Sequence, residues 1–84
     1  MIQNNFMGIR HIFIQNLKYY RKMRKLTQEN LSEICGISTD YLSEIERGKR
    51  TPSFKRLDLI ASALNIEVYK LFIPCELTQD NILK

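Results

Sequence analysis

The chain has 84 residues, 44% of them hydrophobic, enough to fill one small core but not two, so a single domain of marginal size over residues 1–84 is expected, and a second copy would help stabilise it. Its 13 Lys and Arg against 9 Asp and Glu give a net charge of +4, which favours a polyanionic partner without requiring one. Asn4, Asn5, Arg10 and His11 interrupt any signal-peptide hydrophobic region and no run approaches a membrane span, which excludes secretion and membrane insertion and makes the cytoplasm the expected location.

Residues 1–7 are polar and weakly patterned, and a loose arm is expected there, with Met7 before Gly8 as an alternative start. From Ile9 the apolar residues Ile9, Ile12, Phe13, Leu17 and Tyr20 recur at steps of three and four, which predicts a first helix over about Ile9 to Met23 with one buried stripe. Thr27 is placed to cap a second helix, with Glu29 opposing its dipole and Leu31, Ile34 and Cys35 facing inward. Gly36 ends it, and after the single residue Ile37, Ser38 caps a third helix carrying Tyr41, Leu42 and Ile45, which Gly48 ends in turn. Two short helices joined through a glycine are the layout of a helix-turn-helix unit.

Lys49, Arg50, Thr51 and Pro52 read as a basic turn, since Pro52 forces Thr51 out of helical geometry and Ser53 caps the next helix. Leu57, Ile60, Ala61 and Leu64 sit at i, i+3, i+4 and i+7 of this fourth helix, which Asn65 stops by taking a left-handed turn. A fifth helix is expected over about Glu67 to Phe72, before Pro74, and residues 75–84 form a tail. Cys35 and Cys75 lie forty positions apart without a CxxC spacing and read as small hydrophobes in a reducing compartment. No segment alternates as a strand does, so the fold class is all-α, built of five short helices.

On the third helix, Leu42 and Ile45 point one way while Thr39, Asp40, Ser43, Glu44 and Arg47 occupy an arc of about 140° on the other. These are hydrogen-bonding residues near a helix start, the region that reaches base edges in a major groove. Alone, the same face fits an ordinary solvated surface equally well, because phosphate repels Asp40 and Glu44. Charge distribution adds weight. Eleven of the 13 cations fall in two acid-free blocks, Arg10 to Lys25 and Arg47 to Arg56, which resembles a shaped electrostatic surface more than scattered helix faces.

The order of residues around this face carries a resemblance. Leu26-Thr27-Gln28-Glu29-Asn30-Leu31, then Gly36-Ile37-Ser38, then Tyr41 through Arg50, then Pro52-Ser53 and the segment Leu57 to Phe72 resemble the Cro/repressor type of helix-turn-helix regulators, the lambda-repressor-like or XRE family. The resemblance covers about Leu17 to Phe72 and places the helix-turn-helix at helices 2 and 3. It implies that Gln28 holds a DNA phosphate and braces the first recognition residue, and a side-chain amide has both the donor and the acceptor for that. It further implies that Thr39, Asp40, Ser43 and Glu44 face bases, that Ser38 contacts backbone or base, and that Lys49 and Arg50 lie along the phosphates. Carboxylates at such positions accept from cytosine amino groups or orient neighbouring Arg and Lys. Arg47 has two open readings, a phosphate contact or a pair with Glu44 or Glu46. Glu46 has a reader's chemistry, but its angle turns it towards the buried side, a structural position in this family. Asn65 and Glu67 depart from the family's usual glycine and serine-like cap, which predicts a less sharply started fifth helix.

An enzyme finds little support: the chain has one histidine, no nucleophile motif, no phosphate loop and no metal-ligand cluster. No cofactor, metal or small-molecule ligand is expected. The rival is a protein-interaction module of the same fold, as in antitoxins that bind both promoter DNA and a toxin. The chain ends soon after the fifth helix, so no effector domain is expected, and its size resembles that of the controller proteins of restriction-modification systems and small phage Cro-like proteins, which regulate their own promoters as dimers. A homodimer on a near-palindromic double-stranded operator is therefore expected. Tyr69 and Ile73, four apart on one face of the fifth helix, are the candidate interface residues.

Overall fold

The computed structural model describes residues 8–74, and the expected loose arm and the tail with Cys75 lie outside them. The described chain is all-helical: α1 (Ile9–Met23), α2 (Gln28–Cys35), α3 (Thr39–Glu46) and α4 (Phe54–Leu64), followed by a 3-10 helix (Val68–Phe72). None of these helices is long and apolar enough to cross a membrane.

Each boundary has a local cause. After α1 the chain turns through Lys25 at φ +59°, and Leu26 donates its backbone N–H to the Arg21 carbonyl at 3.0 Å. Thr27 and Asn30 form a reciprocal capping box at α2, each side chain accepting from the other's backbone N–H, which satisfies two otherwise orphaned donors. Gly36 leaves α2 at φ +75°, a conformation a side chain would strain. Ser38 caps α3 by accepting from Tyr41 N–H at 3.0 Å, and Ser53 caps α4 by accepting from Arg56 N–H at 3.2 Å. Asn65 stops α4 in the left-handed region, φ +59° and ψ +45°. Arg24 supports that end from outside, donating through Nε to the Leu64 carbonyl at 2.8 Å.

The core lies where the inner stripes converge: Leu17 of α1, Leu31 of α2, Leu42 and Ile45 of α3, Ile60 and Leu64 of α4 and Leu71 of the 3-10 helix are fully buried. Each such side chain contributes about 1.5–3 kcal/mol by leaving water. Two contacts fasten the 3-10 helix to α1. The Phe13 and Phe72 rings stack with centroids 5.6 Å apart, and the buried Asn16 amide donates to the carbonyls of Leu71 at 2.9 Å and Ile73 at 2.6 Å.

Four expectations are corrected. The fifth helix is a 3-10 helix, so the α-helices number four. Its five residues begin at Val68, with Glu67 in the cap position making no side-chain hydrogen bond, and Asn16 takes up the carbonyls of Leu71 and Ile73. With about 120° per residue, positions four apart no longer share a face, and Ile73 already has extended backbone, φ −99° and ψ +129°. The helical-face reason for pairing Tyr69 with Ile73 therefore fails, although Tyr69 is 60% exposed. Ile34 is 57% exposed instead of buried. The inner stripe of α2 runs through Leu31, Ser32 and Cys35, and Ile34 sits about 110° from its centre. Ile9 is 60% exposed, because at the first residue of α1 the stripe has passed the edge of the core.

Candidate nucleic-acid interface

The orientation of α3 is set from behind by one carboxylate. Glu46 is 4% exposed and takes Arg21 of α1 on both oxygens, Nε to Oε2 at 2.8 Å and Nη2 to Oε1 at 3.1 Å. Gln28 of α2 donates to the same Oε1 at 2.9 Å, and Arg21 also donates to the Leu26 carbonyl at 2.9 Å. Glu46 thereby joins three helices, the structural position its helical angle implies. A bidentate guanidinium fits this site because its planar fork matches both carboxylate oxygens.

The opposite face of α3 holds the residues expected to meet bases. Asp40 is exposed, while Thr39, Ser43 and Glu44 are half-buried. Thr39 Oγ1 lies 3.0 Å from Ser32 Oγ, and Ser32 Oγ lies 2.9 Å from the Glu29 carbonyl. Because a hydroxyl has one proton, Ser32 donates to Glu29 and Thr39 donates to Ser32, which leaves Thr39 acceptor lone pairs and a methyl group to present outward.

The cations gather at the C-terminal end of this face. Arg50 donates through Nε to Glu44, and its guanidinium lies 5.5 Å from the Tyr41 ring centroid, with that of Arg56 at 5.1 Å. The hydrogen bond to Glu44, then its negative charge, raises the Arg50 pKa above its already high value, so the guanidinium stays charged. Arg47 pairs with neither glutamate and donates to the Ser43 carbonyl at 3.3 Å. Lys49 is exposed. Tyr41, Glu44, Lys49, Arg50 and Thr51 line an open cleft of about 330 Å³.

Gln28 is half-buried, and its amide nitrogen braces Glu46 and not the first outward residue, Thr39. Ser38 is exposed and its hydroxyl is occupied by the cap of α3. Sequence reasoning missed Tyr41 as a cation platform and Arg56 as its second cation, although Arg56 closes the second basic block. Among the described residues no group of three or more His, Cys, Asp or Glu could hold a metal ion. Burial pushes the Cys35 thiol pKa up, which keeps it protonated and unreactive.

The sequence pattern of the helix-turn-helix family matches residues 17–71, close to the stretch that carries the resemblance. The chain is similar to Control protein C.SmaI of Serratia marcescens, 39% identical over 66 residues that cover 79% of this chain and 79% of that one. The crystal structure of the restriction-modification controller protein C.AhdI from Aeromonas hydrophila superposes with a TM-score of 0.72 and 35% identity, over 75% of this chain and 96% of that one. A hypothetical transcription factor from Neisseria, NHTF, superposes with a TM-score of 0.81 and 25% identity, over 87% and 84% of the two chains.

Proposed function

This chain belongs to the helix-turn-helix family and is a DNA-binding transcription regulator, not an enzyme, and we propose that it lays α3 in the major groove with Thr39, Asp40, Ser43 and Glu44 against base edges. Gln28, Ser38, Arg47, Lys49 and Arg50 hold the phosphates on either side. The observation that carries this reading is the division of α3, whose inner side is locked through Glu46 to α1 and α2 while its outer side presents polar groups beside exposed cations. A rigidly held helix keeps its side chains in register with the base edges. Asp40 accepts from a cytosine amino group, and Thr39 offers an acceptor and a methyl, suited to a base amino group or a thymine methyl.

The functional unit in this reading is a homodimer on a near-palindromic operator. One eight-residue recognition helix touches too few base pairs for discrimination against a genome, whereas two copies related by a dyad read half-sites about 34 Å apart. Similarity to control proteins supports autoregulation of the controller or Cro type. Selection of bound duplexes from a random pool tests it: inverted half-sites one helical turn apart are expected, and retention without enrichment of any sequence would overturn the reading.

A further inference from the structure

We propose that Arg10 is the positioning residue for the basic loop between α3 and α4, a brace that sets where Lys49 and Arg50 stand. The proposal rests on the reading of those two side chains as phosphate contacts. Arg10 reaches across 38 residues to donate through Nη1 to the Gly48 carbonyl at 2.7 Å, and through Nη2 to the Thr51 hydroxyl. Its two acceptors bracket the two cations in sequence.

The loop has few tethers of its own. Among the described residues, backbone N–H groups tie down only its start, Arg47 to the Ser43 carbonyl at 3.0 Å, Gly48 to the Ile45 carbonyl at 3.0 Å and Lys49 to the Glu44 carbonyl at 2.8 Å. Pro52 has no N–H to donate, so the stretch through Thr51 relies on side chains. Ile14 of α1 lies directly below: a Cβ at Gly48 would meet its Cδ1 at 3.5 Å. Arg10 also helps line a mainly apolar groove of about 200 Å³ with Ile9, Phe13, Ile14, Pro52 and Leu57, against which its methylene stem can lie.

The placement of Arg10 argues that this contact matters. It occupies the first turn of α1, which holds no acid and whose cap makes no side-chain hydrogen bond. A cation there is repelled by the positive end of the helix dipole. The position is unfavourable for a guanidinium unless its partners lie elsewhere, and they lie on the loop. Arg10 lies ahead of the family-matched segment 17–71, in the first turn of α1.

Double-mutant cycles on duplex DNA, with backbone relaxation by NMR, decide the matter. Arg10→Met keeps the stem and removes both donors; it is expected to weaken binding roughly threefold to tenfold in the otherwise unchanged protein and by less than about twofold in a Lys49→Ala, Arg50→Ala background. Equal weakening in both backgrounds would make Arg10 an independent phosphate contact and overturn the proposal, as would no weakening in the first. Arg10→Lys keeps the charge but not the fork, so it should behave as Arg10→Met does; full rescue by lysine would overturn the proposal. Order parameters of Lys49, Arg50 and Thr51 are expected to fall from about 0.85 towards 0.6 in Arg10→Met, and unchanged values would overturn the brace. If the Lys49→Ala, Arg50→Ala protein binds DNA as well as the parent does, the phosphate reading fails instead, while the order parameters still report on the brace. Thr51→Val removes one acceptor without touching α1 and should loosen the loop to an intermediate degree, a check that stands even if Arg10→Met fails to fold.

Discussion

Arg50 donates through its Nε to the carboxylate of Glu44, so in the free protein a cation assigned to the DNA backbone is paired with an acid assigned to the bases. The pair is partly open, with side-chain exposures of 57% and 35%. Solvent screens a pair this open, so it adds little to folding, and its effect falls mainly on binding. Glu44→Gln should therefore leave the unfolding midpoint nearly unchanged, tighten binding to random duplexes and narrow the gap between cognate and random DNA. Fluorescence anisotropy over a salt series measures both affinities. Unchanged values for both would remove Glu44 from the interface.

Glu46 presents the opposite case, a carboxylate that is almost fully buried and joins three helices. Removing one partner of a buried pair leaves a charge without compensation and costs about 3–5 kcal/mol. Arg21→Met should lose that much in urea unfolding, a large share of the roughly 5–15 kcal/mol available to a domain. A loss below about 1 kcal/mol would mean that the ion pair is not what holds α3 against α1.

Much of the frame is legible in local sequence because the determinants are local. Thr27, Ser38 and Ser53 cap helices three residues ahead, and Gly36 and Asn65 end them by adopting positive φ. The outward residues of α3 follow from helical angle alone. What escapes is what depends on distant partners. Nothing in the local sequence marks Asn16, which is buried and satisfied by carbonyls 55 and 57 residues away. Nothing local marks Arg10 as a brace either, since its acceptors lie 38 and 41 residues away. Gln28 carries a legible amide but not a legible partner, since Glu46 reaches it only after α2 and α3 fold together.

The two classes of contact should separate by chemistry. Lys49→Ala or Arg50→Ala should weaken binding similarly on every duplex and lower the salt slope by about one for each phosphate released. Thr39→Ala and Asp40→Ala should instead lower the preference for the selected site by about 1–3 kcal/mol where the contact is a good one. Competition binding with cognate and random duplexes distinguishes them. If Thr39→Ala and Asp40→Ala both retain the full preference, the outer face of α3 does not read bases.

Dimerisation through the C-terminal segment is expected to depend more on Tyr69 than on Ile73. Tyr69 is 60% exposed on the 3-10 helix, with an aromatic body that can bury area and a hydroxyl that can bond at a wet rim. Ile73 is half-buried and follows the 3-10 helix in extended backbone, and its carbonyl is held by Asn16 at 2.6 Å. Its side chain is therefore partly committed to its own protomer. Tyr69→Asp places a charge where an apolar contact is needed without disturbing a buried group, so it should shift the protein towards monomer while preserving helicity. Ile73→Asp should add a loss of stability of about 1–3 kcal/mol, because its partly buried position resists a charge. Sedimentation equilibrium reads the first effect and thermal unfolding the second. A parent protein monomeric at tens of micromolar, both free and on its operator, would end the dimer model. A dimer indifferent to Tyr69→Asp would move the interface off the C-terminal segment, leaving the operator's symmetry to be explained by another surface.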